Sequence, residues 1–191
     1  MIKAKCLKNI SLLLGLALIL STSLNISPSI AKTRCGNTDP VEASSATRTL
    51  KLDKFGIQIK IPTNYRSVLL NDGSVAVLDP GSYEAVRCAA PHGFQGFYIK
   101  LLPNNENLSL EEIATTNYSS HNDSPIRLQN YTTFNSTQAL LIDFQGGLGS
   151  YGIFNVPGKG VVEMSAGCDC DVTVQDVIPY LDTVEFIDGQ I

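Results

Sequence analysis

The residues with most chemistry to offer in this 191-residue chain are its five cysteines and two histidines. Cys168 and Cys170 alternate with Asp169 and Asp171 in GCDCD, Cys88 and His92 lie four apart in CAAPH, and Cys35 comes after a short polar stretch. Three chemistries fit such a set: a metal site, a redox pair, or structural disulfides. In the preceding segment Val162, Met164, Ala166, Cys168 and Cys170 share one parity, while Val161, Glu163, Ser165, Asp169 and Asp171 share the other. A strand running on through Gly167 therefore turns both cysteines to the core and both aspartates to water.

A metal needs donors that converge, so this parity argues against a mixed thiolate–carboxylate site within GCDCD. Cys88, His92, Cys168 and Cys170 together have the three sulfurs and one imidazole of a structural zinc, though without a CxxC knuckle. A bond between Cys168 and Cys170 would close a small, strained ring of the easily reduced kind used by thiol–disulfide oxidoreductases. No basic residue between Gly160 and Ile191 is present to stabilise a thiolate there. The favoured reading is two structural disulfides among Cys35, Cys88, Cys168 and Cys170. Cys168 and Cys170 then each reach a different partner, one Cys35 and the other Cys88, in unspecified order.

Other constellations are weaker. Gly147 to Gly152 matches G-x-G-x-x-G, but Tyr151 to Pro157 reads as strand, whereas a dinucleotide site needs a helix N-terminus. Ser150 lacks the nucleophile-elbow spacing. His121 lies in a polar loop and His92 in a turn; Glu111 and Glu112 fit a helix's first turn. Asp143 comes after an apolar run and reads as a partly buried strand end. Asn107, Asn117, Asn122, Asn130 and Asn135 head N-x-S/T sequons, which matter only where exported proteins are glycosylated. No residue is assigned a catalytic, cofactor-binding or metal-binding role.

The elements that must position these residues begin after a leader. Lys3, Lys5 and Lys8 precede a largely apolar run from Ile10 to Leu20, the order of a secretory signal peptide, and Ser29-Ile30-Ala31 is the best cleavage site. The run is too short for a membrane span, and removing it removes Cys6. Residues 1–31 are read as the signal, 32–47 as an extended tail tied down by Cys35, and 48–191 as one α+β domain. Three of the fourteen basic residues and none of the eighteen acidic ones precede Lys32, so the exported chain is acidic, which opposes binding to nucleic acid or anionic membranes.

Phe55 to Ile61 alternates as a half-buried strand ended by Pro62. Ser67–Leu70, Val75–Leu78 and Ala85–Cys88 read as a strand meander, with turns at Asn71-Asp72-Gly73 and Asp79-Pro80-Gly81. Gly96–Leu102 is a further strand. Ser109 and Glu112 form a capping box that predicts a helix to about Tyr118. Strands come next at Ile126–Phe134, Gln138–Phe144, Ser150–Asn155 and Gly160–Ala166. Gln138–Phe144 is apolar on both faces and is the expected central strand. The closing segment predicts a helix beginning more cleanly at Asp176 than at Thr173, because Pro179 belongs in a first turn.

The order FGIQIKIPTNY, LDPGS, GFYIKLLPNNENLSLEEIA, ALLIDF, GVVEMSA and VIPYLDTVEFI, spanning about residues 50 to 188, resembles the PsbP-like family of exported proteins. The resemblance implies an antiparallel sheet packed between helical layers, an α/β/α sandwich. It also implies a role as a non-enzymatic extrinsic subunit or assembly factor on the lumenal side, or as an envelope protein. Tyr65 stands where that family usually has a tryptophan, and four cysteines are added. The expectation is thus an exported, non-catalytic, disulfide-stapled α+β protein of periplasm, thylakoid lumen or extracellular space. It binds a partner protein, takes no cofactor, and has no stable membrane insertion once the signal is gone. The thiol oxidoreductase and the metal-binding protein are the alternatives.

Overall fold

The computed structural model describes residues 35–89, 96–104, 107–119, 125–144, 149–167 and 173–187. Ten strands and three helices occupy them: β1 (Thr47–Leu52), β2 (Ile57–Pro62), β3 (Arg66–Leu69), β4 (Val75–Leu78), α1 (Pro80–Cys88), β5 (Gly96–Leu102), α2 (Leu110–Tyr118), β6 (Ile126–Thr132), β7 (Gln138–Phe144), β8 (Ser150–Val156), β9 (Gly160–Gly167), α3 (Val174–Leu181) and β10 (Glu185–Phe186). The fold is mixed α+β. A seven-stranded sheet runs β3-β4-β5-β9-β8-β7-β6 and a three-stranded one β1-β2-β10. All pairings are antiparallel.

Alternation of side chains sets the layers. On one face of the large sheet, Val77, Phe97, Val162, Phe154 and Leu141 meet Ile57, Ile59 and Ile61 of β2 and Val177 and Leu181 of α3. On the other face, Val161, Ile153, Leu140 and Ile142 meet Ile113, Ala114 and Tyr118 of α2. Burying each large apolar side chain contributes about 1.5–3 kcal/mol, and β7 and β8 supply such residues to both sides. Gly152 of β8 is required by this packing, because a Cβ there would lie 2.5 Å from Leu181 Cδ1 of α3.

Several expectations are corrected. Gln138–Phe144 is an interior strand, β7, between β8 and β6, while β9 is the middle one of the seven; β7 is apolar on both faces because α2 covers one and the main core the other. Ala85–Cys88 is the end of α1 rather than a strand. Asp79 caps that helix and Pro80 supplies its pre-set first φ, so the turn signal is a helix start. Strand β1 has no sequence signal of its own: only Leu52 of its six residues is buried. The strand expected from Phe55 begins at Ile57, with Phe55 and Gly56 in the preceding turn, where Gly56 takes a φ of 71°.

Helix α3 begins at Val174 with Pro179 inside it and Thr173 as cap, not at Asp176. The carbonyl that Pro179 leaves without its helical donor is that of Gln175, on the same exposed side, where water can take it. Tyr65 is buried; it shares a hydrogen bond with Tyr180, which stacks on Phe97 at 3.8 Å.

Candidate functional site

The N-terminal segment is held at more points than Cys35 alone. Cys35 is bonded to Cys88 at the end of α1, with Cα atoms 6.0 Å apart. Gly36 N–H donates to Glu84 Oε2 at 3.1 Å and Val41 N–H to Asp79 Oδ1 at 2.8 Å. Asp39's carbonyl lies so close to α1 that a Cβ on Gly81 would come within 1.8 Å of it. Ser44 N–H donates to Asn64 Oδ1, and Asn64 Nδ2 returns a bond to the Glu42 carbonyl.

This bond corrects the expected connectivity: Cys35 and Cys88 pair with each other, so neither is the partner of Cys168 or Cys170. It also withdraws the Cys88 sulfur from the zinc set that would include His92. His92, His121, Cys168, Cys170, Asp169, Asp171 and Asn122 lie outside the described residues. Among the described residues no three His, Cys, Asp or Glu side chains are grouped to hold a metal ion.

The remaining candidates have structural partners. Asp143 is half-buried within β7 and accepts from Ser150 Oγ at 2.9 Å. Ser150 itself is fully buried, so its hydroxyl is closed to a substrate. The Gly-rich stretch leads into β8, as read from sequence, and not into a helix. Glu111 and Glu112 occupy the first turn of α2, where Glu112 completes the box with Ser109: Ser109 N–H to Glu112 Oε2 is 2.8 Å and Glu112 N–H to Ser109 Oγ is 3.2 Å.

Two features escape a reading of the sequence. The first is Glu163. Its parity on β9 predicts a water-facing side chain, yet α2 covers that face and Glu163 is only 9% exposed. The capping box starts α2 so that Tyr118, its last residue, points its hydroxyl at Glu163 Oε2 and donates to it.

A cavity of about 340 Å³ lies here, walled by Leu102 and Pro103, with Tyr118, Tyr151 and Glu163 inside. It opens past Lys100 and Asn117, both exposed. The two tyrosine rings are 4.9 Å apart. Burial pushes the Glu163 carboxyl above its ordinary 4.5, against the Tyr118 hydrogen bond and the Lys100 charge. Burial, then the Glu163 charge, pushes Tyr118 and Tyr151 up as well.

A carboxyl whose folded pKa exceeds its unfolded value stabilises the fold fully below the unfolded value and loses that contribution as pH rises through the folded one. Stability carried by Glu163 is therefore present below about pH 4.5 and falls above it. Glu163→Gln is expected to flatten this slope and to raise the urea midpoint at neutral pH. Midpoints measured at steps from pH 4 to 8 check it; a parallel profile for the two proteins refutes it.

The second feature is Phe134, 85% exposed on the turn between β6 and β7. The turn is tightly built. Thr133 N–H donates to the Thr137 carbonyl and Thr137 N–H to Thr133 Oγ1, both at 3.0 Å, and Ser136 takes a left-handed φ of 63°. It is also docked on the end of α3: Phe134 N–H and the Tyr131 hydroxyl donate to Asp182 Oδ1, and Asn135 Nδ2 donates to the Val184 carbonyl at 2.9 Å. Ser136 and Thr137 of the same turn also line a hollow of about 310 Å³, together with Gln138, Pro157 and Phe186. No periodicity marks a single turn residue, so only the tertiary structure reveals this one.

No family model and no curated protein matches the chain. Among solved structures it is similar to the solution structure of cyanobacterial PsbP (CyanoP) from Synechocystis sp. PCC 6803, at 11% identity and a TM-score of 0.45, over 79% of this chain and 98% of that one. The resemblance in element order is thus accompanied by a structural likeness at that level, and neither assigns the chain to a family.

Proposed function

We propose that this protein is an exported, non-catalytic accessory or assembly factor that acts by binding a partner protein in an envelope or lumenal compartment. The observation that carries the reading is Phe134: a large aromatic ring held out to solvent by a braced turn. Rigid exposed aromatics are the residues that anchor interfaces, because little conformational freedom is lost when they are buried. Export is supported by the charged-then-apolar N-terminus and by a disulfide, which persists in oxidising compartments.

The test is a photo-crosslinking phenylalanine analogue at position 134 in the cells that make the protein, with position 51 as an exposed control on another strand. A discrete adduct from 134 and none from 51 is expected. Phe134→Ser is expected to abolish co-purification of the adduct's partner while changing stability by less than about 0.5 kcal/mol, as for other surface changes. Absence of any adduct from 134 would remove the basis for this reading.

A further inference from the structure

We infer that the cavity between α2 and strands β5, β9 and β8 is a binding site for a small zwitterion of the α-amino-acid class. Such a site is independent of Phe134 and its partner. Lys100 and Glu163 are direct cross-strand neighbours on β5 and β9, a placement that brings Cβ atoms within about 5 Å. Such a pair would ordinarily join. Here, among the described residues, the ion pairs are Lys51 with Asp53 and Arg87 with Glu84, and Lys100 does not reach Glu163 within bridging distance.

Opposite charges therefore stand at the rim and the floor of one cavity. Tyr118 satisfies one oxygen of Glu163. Among the described residues Tyr118 is the hydrogen-bond partner of that carboxyl group, and Glu163 lines the cavity. An ammonium group is the complement to that carboxylate, making a charge-assisted bond in a cavity also lined by Tyr118 and Tyr151.

The other ligand classes fit less well. A lone anion would meet the Glu163 carboxylate, and a metal would find Glu163 as the one acidic residue among those lining the cavity. A simple amine would satisfy Glu163 but bring its charge towards Lys100. A zwitterion satisfies both: its ammonium faces Glu163, its carboxylate faces Lys100, and its side chain lies against Leu102 and Pro103. The volume of about 340 Å³ lies at the lower end of the range for small-molecule sites, about 300–1,000 Å³.

The test uses L-leucine as probe, with isoamylamine and 4-methylpentanoate as analogues that each lack one charge. Binding is followed by NMR of the Tyr118 and Tyr151 rings and by calorimetry. Leucine is expected to shift both rings, and each analogue to bind at least about tenfold more weakly. Glu163→Gln and Lys100→Met are each expected to weaken leucine binding by at least about tenfold. Lys100 is exposed, so its variant reports on the site even if Glu163→Gln disturbs the fold. Absence of ring shifts with leucine or any other standard amino acid at tens of millimolar overturns the proposal. Equal binding by Lys100→Met, or by either analogue, overturns it too.

Discussion

Replacing Cys35 and Cys88 together with serine is expected to lower the unfolding free energy by about 4 kcal/mol, the chain-entropy value for a loop of this length. The bond joins residues 53 apart, and without it the unfolded chain between them regains the freedom of an open segment. Urea unfolding measures the loss as a lower midpoint, with a slightly steeper slope because the unfolded state is more expanded. Each single serine variant should match the double, since either breaks the same bond. If Cys35→Ser and Cys88→Ser differ, the freed sulfur has found another partner, and Cys168 or Cys170 is the one to seek. A non-reducing peptide map should yield one fragment joining Cys35 to Cys88. If oxidised and reduced protein unfold together, the bond is not what holds the N-terminal segment.

The features legible in the sequence are those that depend on neighbours along the chain. Strands β5 and β7 appear with the expected bounds because alternation and flanking breakers are local signals. Helix α2 is predicted by Ser109 and Glu112, which bond to each other's backbone three residues apart. Misreadings arise where a local signal has two meanings. Asp79-Pro80-Gly81 suits both a turn and a helix start, and the weakly apolar residues after it do not decide between them. Glu163 shows a second kind of failure: parity says which residues share a face but not whether a helix covers it. The disulfide is a third kind, since cysteine spacing does not report which pair the fold brings within 6.0 Å. Phe134 and the Glu163 cavity are both products of packing between distant segments, so the surfaces on which the two proposals rest are the least visible in the sequence.

Asp79→Ala is expected to cost about 3 kcal/mol, combining the loss of a helix cap with that of a buried bond to another segment. Asp79 is fully buried, and its carboxylate accepts from Gly81 N–H at 2.9 Å, Ser82 N–H at 3.4 Å and Val41 N–H at 2.8 Å. One side chain thus starts α1 and fastens the N-terminal segment across it. Asp79→Asn keeps an oxygen acceptor and is expected to recover more than half of the loss, giving up mainly the favourable charge at the helix N-terminus. Because the Cys35–Cys88 bond fastens the same segment to the other end of α1, the two should couple. In the doubly serine-substituted protein, Asp79→Ala is expected to cost about 1 kcal/mol less, since a loosened segment no longer presents Val41 for Asp79 to hold. A double-mutant cycle by urea unfolding decides it. Costs that add within about 0.3–0.5 kcal/mol would mean that Asp79 and the disulfide hold α1 independently. A coupling near the expected value would make the segment from Cys35 to Val41 a single strap, seated as a unit on the helix it covers.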